Sequence, residues 1–180
     1  MEVTMKRSLT IFFQVFLICT LFTNAWGLTN YELCLKAYGD KDFTNAYNIC
    51  KEVGEPNAQF IIGEMYYNGL GVKKDHAEAA IWIRKAAEQG LAEAQFVICH
   101  MNYYGLGVKE DHAEAAIWIR KAAEQGLSDA QFVICHMNYY GLGVKEDHAE
   151  ALIWCRKAAE QGHIRARLLR DKILYKDKSK

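Results

Sequence analysis

The sequence predicts an all-α protein, an α/α solenoid of stacked antiparallel helix pairs. Three observations carry that expectation. Trp82, Trp118 and Trp154 recur 36 residues apart, as do Asp75, Asp111 and Asp147, and Gly90, Gly126 and Gly162. Within each copy the apolar residues follow helical spacing, and breaks marked by glycine and aspartate divide it in two. One proline in 180 residues and little β-branched clustering leave no case for strands. A lone helical hairpin cannot bury its own apolar face, so such units have to stack.

Taken in order, residues 1–27 read as a signal peptide. Lys6 and Arg7 precede an apolar run from Leu9 to Phe22, shorter than the roughly 20 residues a membrane span needs. Ala25 and Gly27 stand at −3 and −1 of a cleavage after Gly27, and cleavage after Ala25, with Thr23 at −3, is the second option. An uncleaved signal anchor is the alternative to both. Export to a periplasmic or secreted location follows, with no membrane span left after cleavage. The mature chain then carries 20 basic against 21 acidic residues.

Residues 28–57 form an N-terminal capping hairpin, Tyr31 to Tyr38 and Asp42 to Val53 about the turn Gly39-Asp40-Lys41. Three repeats follow, at 58–93, 94–129 and 130–165. In the first, Ala58, Ile61, Ile62, Met65 and Tyr66 share one helical face, and Pro56 stands where a first-turn proline is tolerated. Gly69-Leu70-Gly71-Val72 ends that helix. Asp75 opens the next, with Glu78 completing a capping box. Ala79, Trp82, Ile83 and Ala86 supply its stripe and Gly90 ends it. Residues 166–180 read as a C-terminal capping helix and basic tail. Ile164, Leu168, Leu169 and Ile173 form the face of that helix, and Lys172, Lys176, Lys178 and Lys180 a solvated, fraying end.

Composition excludes several functions. With 22 basic and 22 acidic residues, the chain lacks the cationic surplus that nucleic acid demands. Ser8, Ser128 and Ser179 are its only serines, so a serine nucleophile has almost no candidate. Glu78, Glu114 and Glu150 are read as caps, and Glu88, Glu124 and Glu160 as exposed helix ends, not as paired acid–base groups. His76, His112 and His148 follow the caps and are expected to be solvated. Cys99-His100 with Cys135-His136 would make a two-Cys, two-His zinc set, but adjacent helix residues point about 100° apart and cannot easily converge. No metal, no cofactor and no catalytic residue are expected.

The run Ala58-Gln59-Phe60-Ile61-Ile62-Gly63-Glu64-Met65-Tyr66, then Gly69-Leu70-Gly71-Val72, Asp75, Trp82 and Lys85-Ala86-Ala87-Glu88-Gln89-Gly90, resembles the Sel-1-like repeat family, relatives of the tetratricopeptide repeats. The resemblance covers roughly residues 37–166. Cys99 and Cys135 depart from it in place of a glycine, Asn102 and Asn138 in place of a tyrosine. It implies a solenoid adaptor, of the exported bacterial type, that presents a curved surface to a protein or peptide. The alternative is a cell-envelope hydrolase, of β-lactamase or cell-wall amide type, as suggested for cysteine-rich relatives. It would use a thiol or metal centre, such as Cys99 with His136.

On helix A of the second and third repeats, His100, Tyr103, Tyr104, His136, Tyr139 and Tyr140 are the candidate protein-binding residues, since exposed aromatics beside polar groups make interface hot spots. Tyrosines packed on the adjacent helix are the competing reading. A monomer is expected. Five cysteines follow the signal, so one is left over. Cys135 lies about five residues before the break at Tyr140, and Cys155 about eight after Asp147, which brings them level in an antiparallel hairpin. Cys34 and Cys50 face each other similarly across the cap. Bridges Cys34–Cys50 and Cys135–Cys155 are therefore expected in an oxidising compartment, with Cys99 free and buried where the family has glycine. Five reduced core thiols are the alternative.

Overall fold

A computed structural model describes residues 28–178. The expected signal peptide and the last two residues of the basic tail, including Lys180, lie outside the described residues. Nine helices and no strands make up the described residues. They are α1 (Asn30–Gly39), α2 (Phe43–Cys50), α3 (Pro56–Asn68), α4 (His76–Glu88), α5 (Ala92–Tyr104), α6 (His112–Glu124), α7 (Ser128–Tyr140), α8 (His148–Glu160) and α9 (Ile164–Lys178). Each packs on its neighbours in the chain, α3 with α4, α5 with α6 and α7 with α8 forming three antiparallel units behind the α1–α2 hairpin. The A helices α3, α5 and α7 begin at Pro56, Ala92 and Ser128, two residues before the first buried alanine of each. Apolar periodicity cannot see those two residues, because neither of them is buried.

The caps explain the boundaries. Asp75 accepts the Ala77 and Glu78 amides at 2.9 and 3.1 Å, and Asp111 and Asp147 accept the Glu114 and Glu150 amides at 2.8 and 2.9 Å. Gly105 ends α5 with φ 65°, a left-handed turn that glycine adopts without a Cβ penalty. Gly107, at φ 72°, has a second reason to be glycine: a Cβ there would fall on the carbonyl of His76, at the start of the preceding unit's α4.

The core follows the stack in two segments. Cys34, Cys50, Ile62 and Met65 centre the first, and Ile83, Ile98, Met101, Ile119, Ile134 and Met137 the second. Alanines line both, so helices approach closely. Asn102 and Asn138 are buried and satisfied locally, their amides donating to the Ile98 and Ile134 carbonyls at 3.0 and 2.8 Å.

Two polar devices join unit to unit. Gln125 donates to the Gly90 carbonyl at 2.9 Å and to the Gln95 side chain at 2.8 Å, and Gln161 does the same to Gly126 and Gln131 at 3.0 and 2.8 Å. Gln89 repeats the pattern on Gly54 and Gln59. The second device differs from the expectation that Glu114 and Glu150 serve as caps. Glu114 takes the guanidinium of Arg84 and the indole N–H of its own Trp118. Glu150 takes Arg120 at 2.9 Å and Trp154 at 2.8 Å. The arginine hydrogen bond, helped by the indole, holds both carboxyls below their ordinary pKa.

The C-terminal helix also differs from expectation. Ala166 and Ile173 are buried and Leu169 half-buried, whereas Ile164 and Leu168 are 66 and 62 % exposed. Packing against α8 selects the i, i+3, i+7 stripe from a helix with apolar residues on more than one side. The helix runs on to Lys178 with no fray at Lys172, whose ammonium sits over the Tyr139 ring at 5.3 Å.

Candidate protein-binding face

Helix A presents one side to its partner B helix and the adjoining side to the next A helix. Between α5 and α7 that second side encloses a groove of about 320 Å³, lined by Phe96, Cys99, His100, Tyr103, Tyr104, Ile119, Phe132, Val133, His136, Met137, Leu142 and Arg165. A second groove of about 270 Å³, between α3 and α5, shares Phe96 and His100 with it and is bounded by Phe60, Glu64 and Tyr67. The two therefore form one track across the units, apolar along its floor.

The structure sorts the six sequence-predicted residues into two groups. Tyr104 and Tyr140 are 59 and 48 % exposed, while Tyr139 is 6 % exposed and Tyr103 half-buried. Tyr103 stacks on His112 at 4.3 Å and Tyr139 on His148 at 4.8 Å. Tyr104 meets Tyr103 edge-on at 4.9 Å, and Tyr140 meets Tyr139 at 4.7 Å. His100 and His136 lean on Tyr104 and Tyr140, each at 4.6 Å. The second and third units thus each carry a column of His, Tyr, Tyr and His whose outer ring faces solvent and whose inner ring is locked in place. Burial lowers the pKa of both His100 and His136, which favours the neutral imidazole.

The expectation that His76, His112 and His148 are solvated is corrected. All three are half-buried beneath the tyrosines, because the helix-B start swings under the end of helix A. His112 and His148 pair through Nε2 with Glu110 and Glu146 at 3.0 and 2.8 Å. Sequence reasoning missed Phe96, Phe132, Val133 and Arg165. The phenylalanines were findable, since Phe60, Phe96 and Phe132 recur with the 36-residue period.

Cys34 and Cys50 are bridged across α1 and α2, and Cys135 and Cys155 across α7 and α8, with Cα separations of 5.0 and 5.3 Å. Cys99 is free and buried, and burial pushes its thiol up to about 12. A nucleophilic cysteine needs the opposite shift, so a thiol hydrolase built on Cys99 with His136 finds no support. The zinc set loses Cys135 to its bridge, and among the described residues no three His, Cys, Asp or Glu side chains gather as a metal site. No helix of the described residues is long and apolar enough to cross a membrane.

Known proteins carry the same architecture. A Sel1 repeat profile matches residues 56–91, 92–127 and 128–163. The Sel1 repeat protein from Oxalobacter formigenes is 37% identical with a TM-score of 0.71, the match covering 74% of this chain and 56% of that one. The protective antigen c5321 of uropathogenic Escherichia coli, which displays an SLR fold, is 38% identical with a TM-score of 0.72, over 76% of this chain and 31% of that one. This chain therefore spans about half and about a third of those two proteins. Helicobacter pylori cysteine rich protein B shares the fold at 20% identity and a TM-score of 0.55, over 79% of this chain and 98% of that one. No curated protein matches the chain. Three matched repeats, laid over the three helix pairs from Pro56 to His163, place this chain in the Sel1 repeat family.

Proposed function

We propose that the protein is an exported, monomeric helical-repeat adaptor that holds a protein or peptide ligand along the helix-A face, which the resemblance implies is concave. Sel1 repeats fit a protein-interaction role, and repeats of this kind are in general scaffolds, not enzymes. The observation that carries the reading is the pair of exposed rings, Tyr104 and Tyr140, standing over an apolar groove with their inner neighbours already immobilised. Rigid aromatic rims of this sort bind at low entropic cost. Two disulfides are compatible with an oxidising location, and the charged and apolar pattern of residues 1–27 supports export.

The test is affinity capture from periplasmic extract with the wild-type protein and with Tyr104→Ala/Tyr140→Ala. A partner retained by the first and lost from the second, with circular dichroism unchanged, supports the reading. A partner held equally by both moves the binding surface elsewhere.

A further inference from the structure

The track across the units is electrically graded. One position of helix A, read 36 residues apart, is Glu64, His100, His136 and then Lys172 on α9. Glu64 walls the first end, where it accepts the Tyr38 hydroxyl at 3.3 Å. His100 and His136 line the middle. At the far end Arg165 lines the groove beside Phe132 and His136, and Lys172 stands over the Tyr139 and Tyr140 rings at 5.3 and 5.8 Å. Among the described residues Arg165 and Lys172 are both exposed and neither forms an ion pair. Nearby carboxylates are engaged elsewhere: Asp129 with His163 at 3.2 Å, Asp171 with Arg170 at 2.8 Å. Helix α9 holds six basic residues against two acidic, in a chain whose net charge is zero. The cations therefore concentrate at one end of an otherwise apolar groove.

Their spacing says more. Arg165 and Lys172 are seven residues apart on one helix, hence on one face and about 10 Å apart along it. A single terminal carboxylate meets one of them. Two acidic side chains two residues apart in an extended strand point the same way about 7 Å apart, within reach of both through the long Arg165 and Lys172 side chains. We propose that the groove takes an extended segment of a partner polypeptide in which apolar residues are followed by two acidic side chains two residues apart, on the same face of the segment. The apolar residues lie on Phe96, Phe132 and Val133, and the acids reach Arg165 and Lys172. The charge gradient fixes the segment's orientation, since its acidic end is repelled by Glu64 and attracted by α9. This rests on the groove being the binding site, as proposed above.

A random dodecapeptide display library selected on the purified protein tests it, followed by fluorescence anisotropy of the selected peptides at low and high salt. The expected result is an apolar run followed by a spaced pair of Asp or Glu. Arg165→Gln and Lys172→Gln should each weaken binding roughly two- to fivefold, the double variant should lose most of the salt dependence, and Arg156→Gln, an exposed arginine on α8, should change nothing. Peptides that lose affinity in Tyr104→Ala/Tyr140→Ala but show no acidic pair, or need only a free C-terminal carboxylate, overturn this proposal and leave groove binding standing. Selection of no peptide, or of peptides indifferent to all these substitutions, overturns both.

Discussion

Cys135 and Cys155 lie across α7 and α8 at the level where the preceding unit has Cys99 and Ile119, and where the first unit has Gly63 and Ile83. In the first unit the helices are so close that a Cβ on Gly63 would run into the Ile83 side chain. The three units therefore offer glycine–isoleucine, cysteine–isoleucine and a disulfide at one contact. Ile119→Cys should give the second unit its own bridge to Cys99. Alkylation under denaturing conditions should then find no free thiol where the wild type has one, and the oxidised variant should exceed its reduced form in stability by roughly 2–4 kcal/mol. A variant whose Cys99 still alkylates would show that the two units are spaced differently.

The two tyrosines at the end of helix A should behave oppositely. Tyr139 is almost fully buried between His148 and Lys172, so Tyr139→Ala should cost about 3 kcal/mol in urea unfolding. Tyr140→Ala, removing the exposed ring, should cost well under about 1 kcal/mol. Equal losses would mean that both rings belong to the core.

Stability should fall in acid partly through the arginine–glutamate links. The carboxyls of Glu114 and Glu150 titrate lower in the folded chain than in the unfolded one. Their contribution is therefore present above the ordinary carboxylate range and is lost as pH falls through the depressed folded value. Arg120→Gln should destabilise by about 1 kcal/mol or less at neutral pH, since the pair is partly exposed and screened. That difference should close in acid, where Glu150 is protonated in both proteins. A difference that persists at low pH would assign the loss to packing instead of the ion pair.

His76 has a buried Nε2 with no hydrogen-bond partner among the described residues, whereas His112 and His148 are met by Glu110 and Glu146. The equivalent residue in the first unit is Lys74. Lys74→Glu should therefore raise the melting temperature, with a gain of about 1 kcal/mol. No gain would indicate that the imidazole is already satisfied by solvent.

Gly107→Ala should cost about 3 kcal/mol or more, combining a left-handed backbone with a collision at the His76 carbonyl. Gly90→Ala meets open space and suffers the backbone strain alone. If the two variants unfold at the same denaturant concentration, the inter-unit contact at Gly107 contributes nothing.

Much of the fold was legible because it is written three times. Helix boundaries, caps and the level of Cys135 with Cys155 are local matters of spacing, and spacing is what a sequence records. The groove was harder to read. Phe96 and Phe132 look like ordinary core residues until the neighbouring A helix is in place, and Arg165 acquires meaning only beside Phe132. The same limit applies to Glu114. Its position three residues after Asp111 reads as a local cap, but its partner Arg84 lies 30 residues earlier, across a unit boundary. On α9 the residues Ile164, Leu168, Leu169 and Ile173 read as one face, and only the position of α8 selects Leu169 and Ile173 from them.

The glutamine ladder also bears on how long such an array can become. Every rung needs an oxygen on the unit before it, supplied by Gln59, Gln95 and Gln131. The next residue in that series is Arg167, whose guanidinium offers donors and no acceptor. A copy inserted between existing units would find both acceptors of its rung, whereas one docked behind α9 would find only the Gly162 carbonyl. The ladder thus favours lengthening the array from within, where every rung keeps both of its acceptors.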